Sequence, residues 1–320
     1  MGDVVAGLAV FGVVIAVGWL LVRTRAVPAD ADGVLTRVCF FAATPALLVT
    51  TLSRADLTAV VSRTTAVAVA AELVAIVSAW CLHRLVLRRS TAEATIGALA
   101  SGYVNAANLG IPVAVLVLGD AATIAPILLL QLLVLTPVTF TVLDAVTRRG
   151  NPSRLATLTV PLRNPLLWGV VAGTAANLSG LDLTAWCGGY PAQGLEMLGR
   201  VAVPLMMLAL GMSLAGAPRP LRSPEPDASV RGAGRRSGLW LAVGWKLAVM
   251  PGLAVVVGLA TGLSGAQLLT PVVTATLPTA QNVFMYASRY GVAKDLARDA
   301  VLLTTAGFVP VVLLAAALLH

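Results

Sequence analysis

The sequence predicts an all-α integral membrane protein of ten transmembrane helices, built as an inverted five-plus-five repeat in which helices 4 and 9 are broken and cross. Three observations predict it. Hydrophobic residues make up 58% of the 320-residue chain and charged residues only 11%, whereas an ordinary soluble domain carries about 25% charged residues. Lys and Arg gather at alternate ends of the apolar stretches. Two of those stretches, at corresponding places in the two halves, are interrupted by Asn, Gly and Pro.

A spanning helix needs about 20 mostly apolar residues. Ten segments qualify: 4–22, 34–52, 62–87, 94–118, 121–144, 162–179, 194–214, 238–262, 266–290 and 296–319. The first has Asp3 before its apolar run and Arg23 and Arg25 after it, the reverse of a signal peptide, so it reads as a spanning helix. The second carries Pro45 in "FFAATPALLVTTL" and the third an acidic residue, Glu72. The fourth holds "NAANLGIPV" (105–113); the fifth has Gln131 inside it and Asp144 at its end. In the second half, the seventh repeats the proline of the second as Pro204 in "VAVPLMMLALGMSL", the eighth carries Lys246, and the ninth contains "LPTAQNVFMY" (277–286). Residues 1–147 form the first five-helix set, 148–161 a cytoplasmic linker and 162–320 the second set. Within the latter, the Pro- and Arg-rich stretch 215–237 is expected to be a mobile cytoplasmic loop.

Orientation follows the positive residues. Eighteen of the 22 Lys and Arg lie at the ends that follow segments 1, 3, 5, 7 and 9; Arg54, Arg63 and Arg200 lie at the other ends, and Lys246 within a segment. Both termini are therefore expected to face away from the cytoplasm. The same distribution accounts for the net charge of +8 without nucleic acid, since no basic stripe with interleaved aromatics exists. Nothing calls for a cofactor or metal. Cys39, Cys81 and Cys187 are far apart in apolar surroundings, and His83 and His320 have no ligand partner near in sequence.

The two interrupted segments are each fourth in a set of five. An odd number of crossings per set makes the second set enter from the opposite side, and paired interruptions of this kind point to a transporter's central site. Pro112 removes a backbone donor and Gly110 relaxes the chain, so the fourth segment is expected to unwind there; Pro278 does the same in the ninth. Non-helical backbone at membrane depth persists only where protein or water satisfies it. Crossed half-helices would aim their N-terminal partial positive charge into one small volume, which suits an anion. Asn105, Asn108, Gln281 and Asn282 would donate to a carboxylate without adding permanent charge. Asparagines and prolines also serve simply as interhelical glue and kinks, and Thr276 and Thr279 could equally cap backbone groups.

The chain resembles the auxin efflux carrier family, which includes plant PIN-type carriers and bacterial transporters. The resemblance runs through "VGWLLVRTRAVPADADGVLTRVCFFAATPALL" (17–48), "NLGIPV" (108–113), "RNPLLWGVVAG" (163–173), "VPLMMLALGMSLAG" (203–216) and "LPTAQNVFMYASRYG" (277–291). It implies a five-plus-five fold with a scaffold and a mobile transport domain, elevator-like movement, homodimers, and organic anions as substrates, dicarboxylates among them. On this resemblance Asn108, Gly110 and Pro112 match the first crossover, and Pro278 and Asn282 the second. The long hydrophilic loop of the plant carriers is missing, which fits a compact bacterial member.

Charges inside the segments complete the sequence-based picture. A central acidic residue costs about 2.5–3.5 kcal/mol on insertion scales, so Glu72 needs a role. A carboxyl that loads a proton in one occupancy state and releases it in another couples transport to a proton gradient, and the resemblance implies such coupling for an acidic residue of the third helix. The competing reading is a glutamate that only bonds a neighbouring helix. Lys246, in the repeat-related eighth helix, is expected either to snorkel to the basic face or to assist the substrate, with Gln131 as an accessory polar group. No Walker A pattern and no catalytic His, Ser or paired-carboxylate set is present. The function expected is therefore not enzymatic: secondary transport of a small organic anion across the cytoplasmic membrane, with an anion channel or solute-sensing receptor on the same scaffold as the alternative.

Overall fold

The structure, a computed structural model, describes residues 2–28, 30–57, 62–147, 162, 164–183, 185–216 and 229–319. Among these the regular structure is helical apart from one isolated β-bridge. The helices are α1 (Gly2–Arg23), α2 (Ala31–Leu52), α3 (Arg63–Val86), α4 (Thr91–Gly102), α5 (Ala106–Leu118), α6 (Ala121–Thr147), α7 (Pro165–Leu178), α8 (Tyr190–Ala215), α9 (Arg236–Ala260), α10 (Leu269–Thr276), α11 (Gln281–Tyr290) and α12 (Lys294–Leu319). Of these, α2, α3, α6, α8, α9 and α12 are long and apolar enough to cross a membrane. The fourth and ninth predicted segments are each divided, into α4 and α5 and into α10 and α11. The expected linker 148–161 lies outside the described residues, as do 217–228 of the expected loop; from Ser229 the chain is already helical.

Local chemistry sets several of these boundaries. Pro165 stands in the first turn of α7, and the Asn164 side chain accepts from the Leu166 N–H at 2.9 Å, satisfying one orphan donor. A reciprocal Ser90–Glu93 capping box opens α4. Pro45 and Pro112 do not break their helices. Each follows a π turn, Cys39–Ala43 and Ala106–Gly110, and stands at the start of the next α turn, where a missing N–H is tolerated. Unwinding at Gly110 and Pro112 is thus corrected: 106–118 is helical, and the break lies upstream at 103–105.

The chain forms two compact units, each drawing on both halves of the sequence: Met1–Ser62, Ala107–Leu129 and Val160–Ala217 form the first, and Arg63–Ala106, Leu130–Thr159 and Pro218–His320 the second. Large apolar side chains stand exposed on the helices of both, Phe41, Leu178, Val256 and Leu314 among them, as lipid-facing surfaces require.

Small residues bring the helices of the first unit together. A Cβ on Gly18 would meet the Leu208 carbonyl oxygen and one on Gly211 that of Ile15, so α1 and α8 touch main chain to main chain; one on Gly169 would stand 2.9 Å from the main chain of Pro45 of α2. The Asn177 amide of α7 donates to the carbonyls of Leu52, Ser53 and Ala55 at 2.8–3.1 Å, satisfying the C-terminal end of α2. Gly211→Val is expected to lower the unfolding temperature of detergent-solubilised protein, since overpacking costs about 1–3 kcal/mol. Gly12→Val, where a Cβ meets nothing within 4 Å, should leave it unchanged in the same scan. Equal behaviour of the two variants would refute this packing.

In the second unit α3 lies along α4 through Gly102, whose Cβ would strike Ile76, and through Gly97, packed on the His83 ring. α9 is tied to α3 by the Trp245 Nε1–H, which donates to Ala75 O at 3.2 Å.

Candidate functional site

Two helices of the second unit stop in mid-course. α4 ends at Gly102 and Tyr103 turns extended (φ −72°, ψ 105°); α10 ends at Thr276 and Leu277 turns extended (φ −52°, ψ 140°). Leu277 precedes Pro278, whose ring pushes the residue before it out of the helical region. The first break has no such local cause, and its stability comes from what it meets.

It meets the second break. Val104 and Thr279 form an antiparallel bridge, the Asn105 N–H donates to Pro278 O at 2.8 Å, and the Ala280 N–H to Tyr103 O at 3.1 Å. Each broken helix supplies the other with main-chain partners. Buried backbone groups need partners, and here side chains from four further helices take several of those that are left. Glu72 of α3 accepts from the Val104 N–H on Oε1 at 3.3 Å. Gln131 of α6 donates its Nε2–H to Val104 O at 2.9 Å and to the same Glu72 oxygen at 2.8 Å. Lys246 of α9 donates from Nζ to Ala275 O at 2.8 Å, and Thr304 of α12 accepts from the Thr279 N–H at 3.1 Å.

Glu72 and Lys246 are both fully buried, and each one's charge acts on the other. They are not joined as an ion pair; each serves a different broken helix, Glu72 at Val104 and Lys246 at Ala275. Glu72 Oε2 has no hydrogen-bond partner. Lys246 does not snorkel: its Nζ reaches inward, to Ala275 O and, at 3.0 Å, to Met250 Sδ. That expectation is corrected, because the carbonyl freed at the end of α10 competes successfully for the ammonium.

The predicted residues divide as follows. Asn105 and Pro278 are buried and joined through their main chains; Asn282 is half-buried and Gln281 exposed in the first turn of α11. No side chain caps that turn, for its N-cap is Ala280, and uncapped first-turn N–H groups are ready anion donors. Asn108 is half-buried, Gly110 and Pro112 are buried, and all three belong to the first unit. Thr279 caps main chain as anticipated, donating to Ala100 O at 2.6 Å, and Thr276 donates to Val273 O at 2.7 Å. Asp144 accepts from the Tyr290 hydroxyl at 2.7 Å.

Two groups escaped sequence reasoning. Thr304 reads as an ordinary residue of an apolar helix. The hydroxyls of Tyr103, Thr136 and Tyr286 join in a row, at 3.3 and 3.0 Å, with Phe140 edge-on to Tyr286. The usable signal was the break itself: a stretch of backbone without helical bonds at membrane depth demands donors and acceptors from its neighbours.

The profile of a family described as membrane transport protein matches residues 4–151 and 153–316. A protein of Rhizobium meliloti (strain 1021) named "Putative malonate transporter" is 30% identical over 311 residues, covering 92% of this chain and 89% of its own length.

Proposed function

The chain belongs to the membrane transport protein family, the auxin efflux carriers, and from that premise we propose that it is a secondary transporter of a small dicarboxylate of the malonate class. The observation that carries the reading is the pair of broken helices tied at Val104 and Thr279, with the uncapped first turn of α11 directly beyond. Its N–H groups and the amides of Gln281 and Asn282 offer a carboxylate neutral donors, and Asn105 and Pro278, in the same unit, shape the rest of the site. The name of the Rhizobium relative supports a short diacid.

The fold we propose is ten spans in two inverted sets of five. The break in the fourth span is held from the third and fifth, by Glu72 and Gln131, and that in the ninth from the eighth and tenth, by Lys246 and Thr304. This correspondence favours the repeat. The second unit, which contains the tied breaks, would be the moving part of an elevator and the first its scaffold, in homodimers in the cytoplasmic membrane with both termini outside. Glu72 is the proposed proton-coupling residue: it holds the Val104 N–H, so its protonation reaches the crossover directly.

The test is a ligand-induced thermal shift on purified protein with mono- and dicarboxylates. At about 100 times Kd a ligand adds about 2.7 kcal/mol to stability. Malonate is expected to raise the unfolding temperature of the wild type, and Asn282→Ala to remove most of that shift without lowering the unliganded value. Folded protein that ignores every carboxylate, or a shift that survives Asn282→Ala, would overturn the site.

A further inference from the structure

Among the described residues, four buried side-chain atoms have no hydrogen-bond partner, and three of them belong to Glu72 and His83: Oε2 of the one, Nδ1 and Nε2 of the other. Both residues are fully buried. Both are on α3, eleven residues apart, which is about three turns and about 17 Å along one face of the helix. An imidazole always has one nitrogen that donates and one that accepts when neutral; leaving both unmade in a buried place is costly and calls for a use.

The surroundings of His83 are built around the ring. A Cβ on Gly97 of α4 would stand 2.6–2.8 Å from three ring atoms, and one on Gly238 of α9 would stand 3.7 Å from Cε1. Only glycine at position 97 leaves room for an imidazole. One turn along α4 from Gly97, the fully buried Ser101 hydroxyl donates to Gly97 O at 2.7 Å, and three residues further Val104 sits on Glu72. Along α4, Ser101 thus lies between Gly97, which packs on the His83 ring, and the stretch that bonds Glu72. His83 itself is within one turn of the end of α3, where Arg84 and Arg88 are exposed.

We propose that His83 is the inner station of the proton route that serves Glu72. This rests on the coupling reading above. A proton arriving from the basic end of α3 binds the free ring nitrogen, the proton on the other nitrogen leaves towards Ser101 and Glu72, and the ring is left neutral in its other tautomer. One proton moves and none accumulates; Glu72 Oε2 is the open acceptor at the far end. The charged groups around the route are known. Arg89 acts on the imidazole and Lys246 on Glu72. Arg84 and Arg88 share the end of α3, and Glu93 is bound to Ser90 at the start of α4. On α12, Arg298 is paired with Asp295 and Asp299, with Lys294 beside them; Arg236 opens α9. None of them supplies a hydrogen bond to the ring.

The experiment uses the full chain in lipid vesicles, with malonate as the probe. His83→Gln is expected to slow malonate uptake driven by a pH gradient about 100-fold, the scale of a lost proton-transfer group. Exchange of labelled for unlabelled malonate at equal pH should stay within about twofold, because substrate and crossover are untouched. If wild-type uptake ignores the pH gradient, the coupling reading falls and this one with it. If Glu72→Gln abolishes the response and His83→Gln leaves it intact, coupling stands and His83 is not on the route. Should His83→Gln fail to fold, the wild-type ring decides. The chain has two histidines, so His320→Ala leaves His83 as the sole source of imidazole ¹⁵N signals. Ring N–H exchange with D2O within seconds supports the route, and a ring that holds its proton for hours overturns it.

Discussion

Glu72→Gln is expected to abolish accumulation of the transported anion against its gradient while leaving downhill exchange running. The amide has the size of the carboxyl and keeps an oxygen for the Val104 N–H, so the contact that fixes the extended stretch can survive. What it cannot do is take up and release a proton. For a carrier moving one proton with each substrate, one pH unit is worth 1.36 kcal/mol, about tenfold in accumulation at equilibrium. The wild type should reach that ratio in vesicles and the variant a ratio of about one, while exchange at equal pH persists in both. A variant that still concentrates malonate tenfold would remove Glu72 from coupling and leave it as a residue that fastens the crossover.

Lys246→Met should cost more in stability than other single changes in the second unit. Methionine fills the volume but leaves Ala275 O without its donor and Glu72 without its opposite charge. A buried acceptor left without its donor costs about 1–3 kcal/mol, and whatever attraction the two charges exert through space is lost as well. The double variant Glu72→Gln/Lys246→Met is therefore expected to recover the part of that loss that comes from the unbalanced Glu72 charge, and not the part that comes from Ala275 O. Reversible unfolding of the four proteins in one detergent gives the cycle directly. Strict additivity would mean that the two groups serve their own broken helices independently, and the charge coupling would be discarded.

Hydropathy made the helices legible, because each predicted segment needed only length and apolar character, and one or more described helices occupy it. Proline was a less faithful guide. Pro278 does mark its break, since it forces Leu277 extended, but Pro112 is absorbed after a π turn and the real interruption begins at Tyr103. Nothing in "ASGYVN" announces that break, as its cause is an extended stretch 175 residues later in the chain. Glu72, Gln131 and Lys246 were conspicuous because polar groups are expensive where they stand. What they do there was not readable. Their partners are main-chain groups, identical at every residue and invisible in a string of side chains. Tyr103, Thr136, Tyr286 and Thr304 stayed hidden for the same reason: a hydroxyl in an apolar helix has no distinctive spacing. His83 was legible only as a helix-end residue, and the glycine that makes room for it, Gly97, lies on another helix.

The tie at Val104 has a bearing on how such a protein can move. A non-helical stretch inside a bundle is where one would ordinarily look for a hinge. Here the N–H and carbonyl of one residue are held by two different helices, and its neighbours on both sides are sewn to another extended stretch. The least regular backbone in the second unit is also among its most firmly fastened. A substrate resting against it would travel as a passenger on a stiff frame rather than in a flexing gate, and the compliance needed for turnover must be sought elsewhere in the chain.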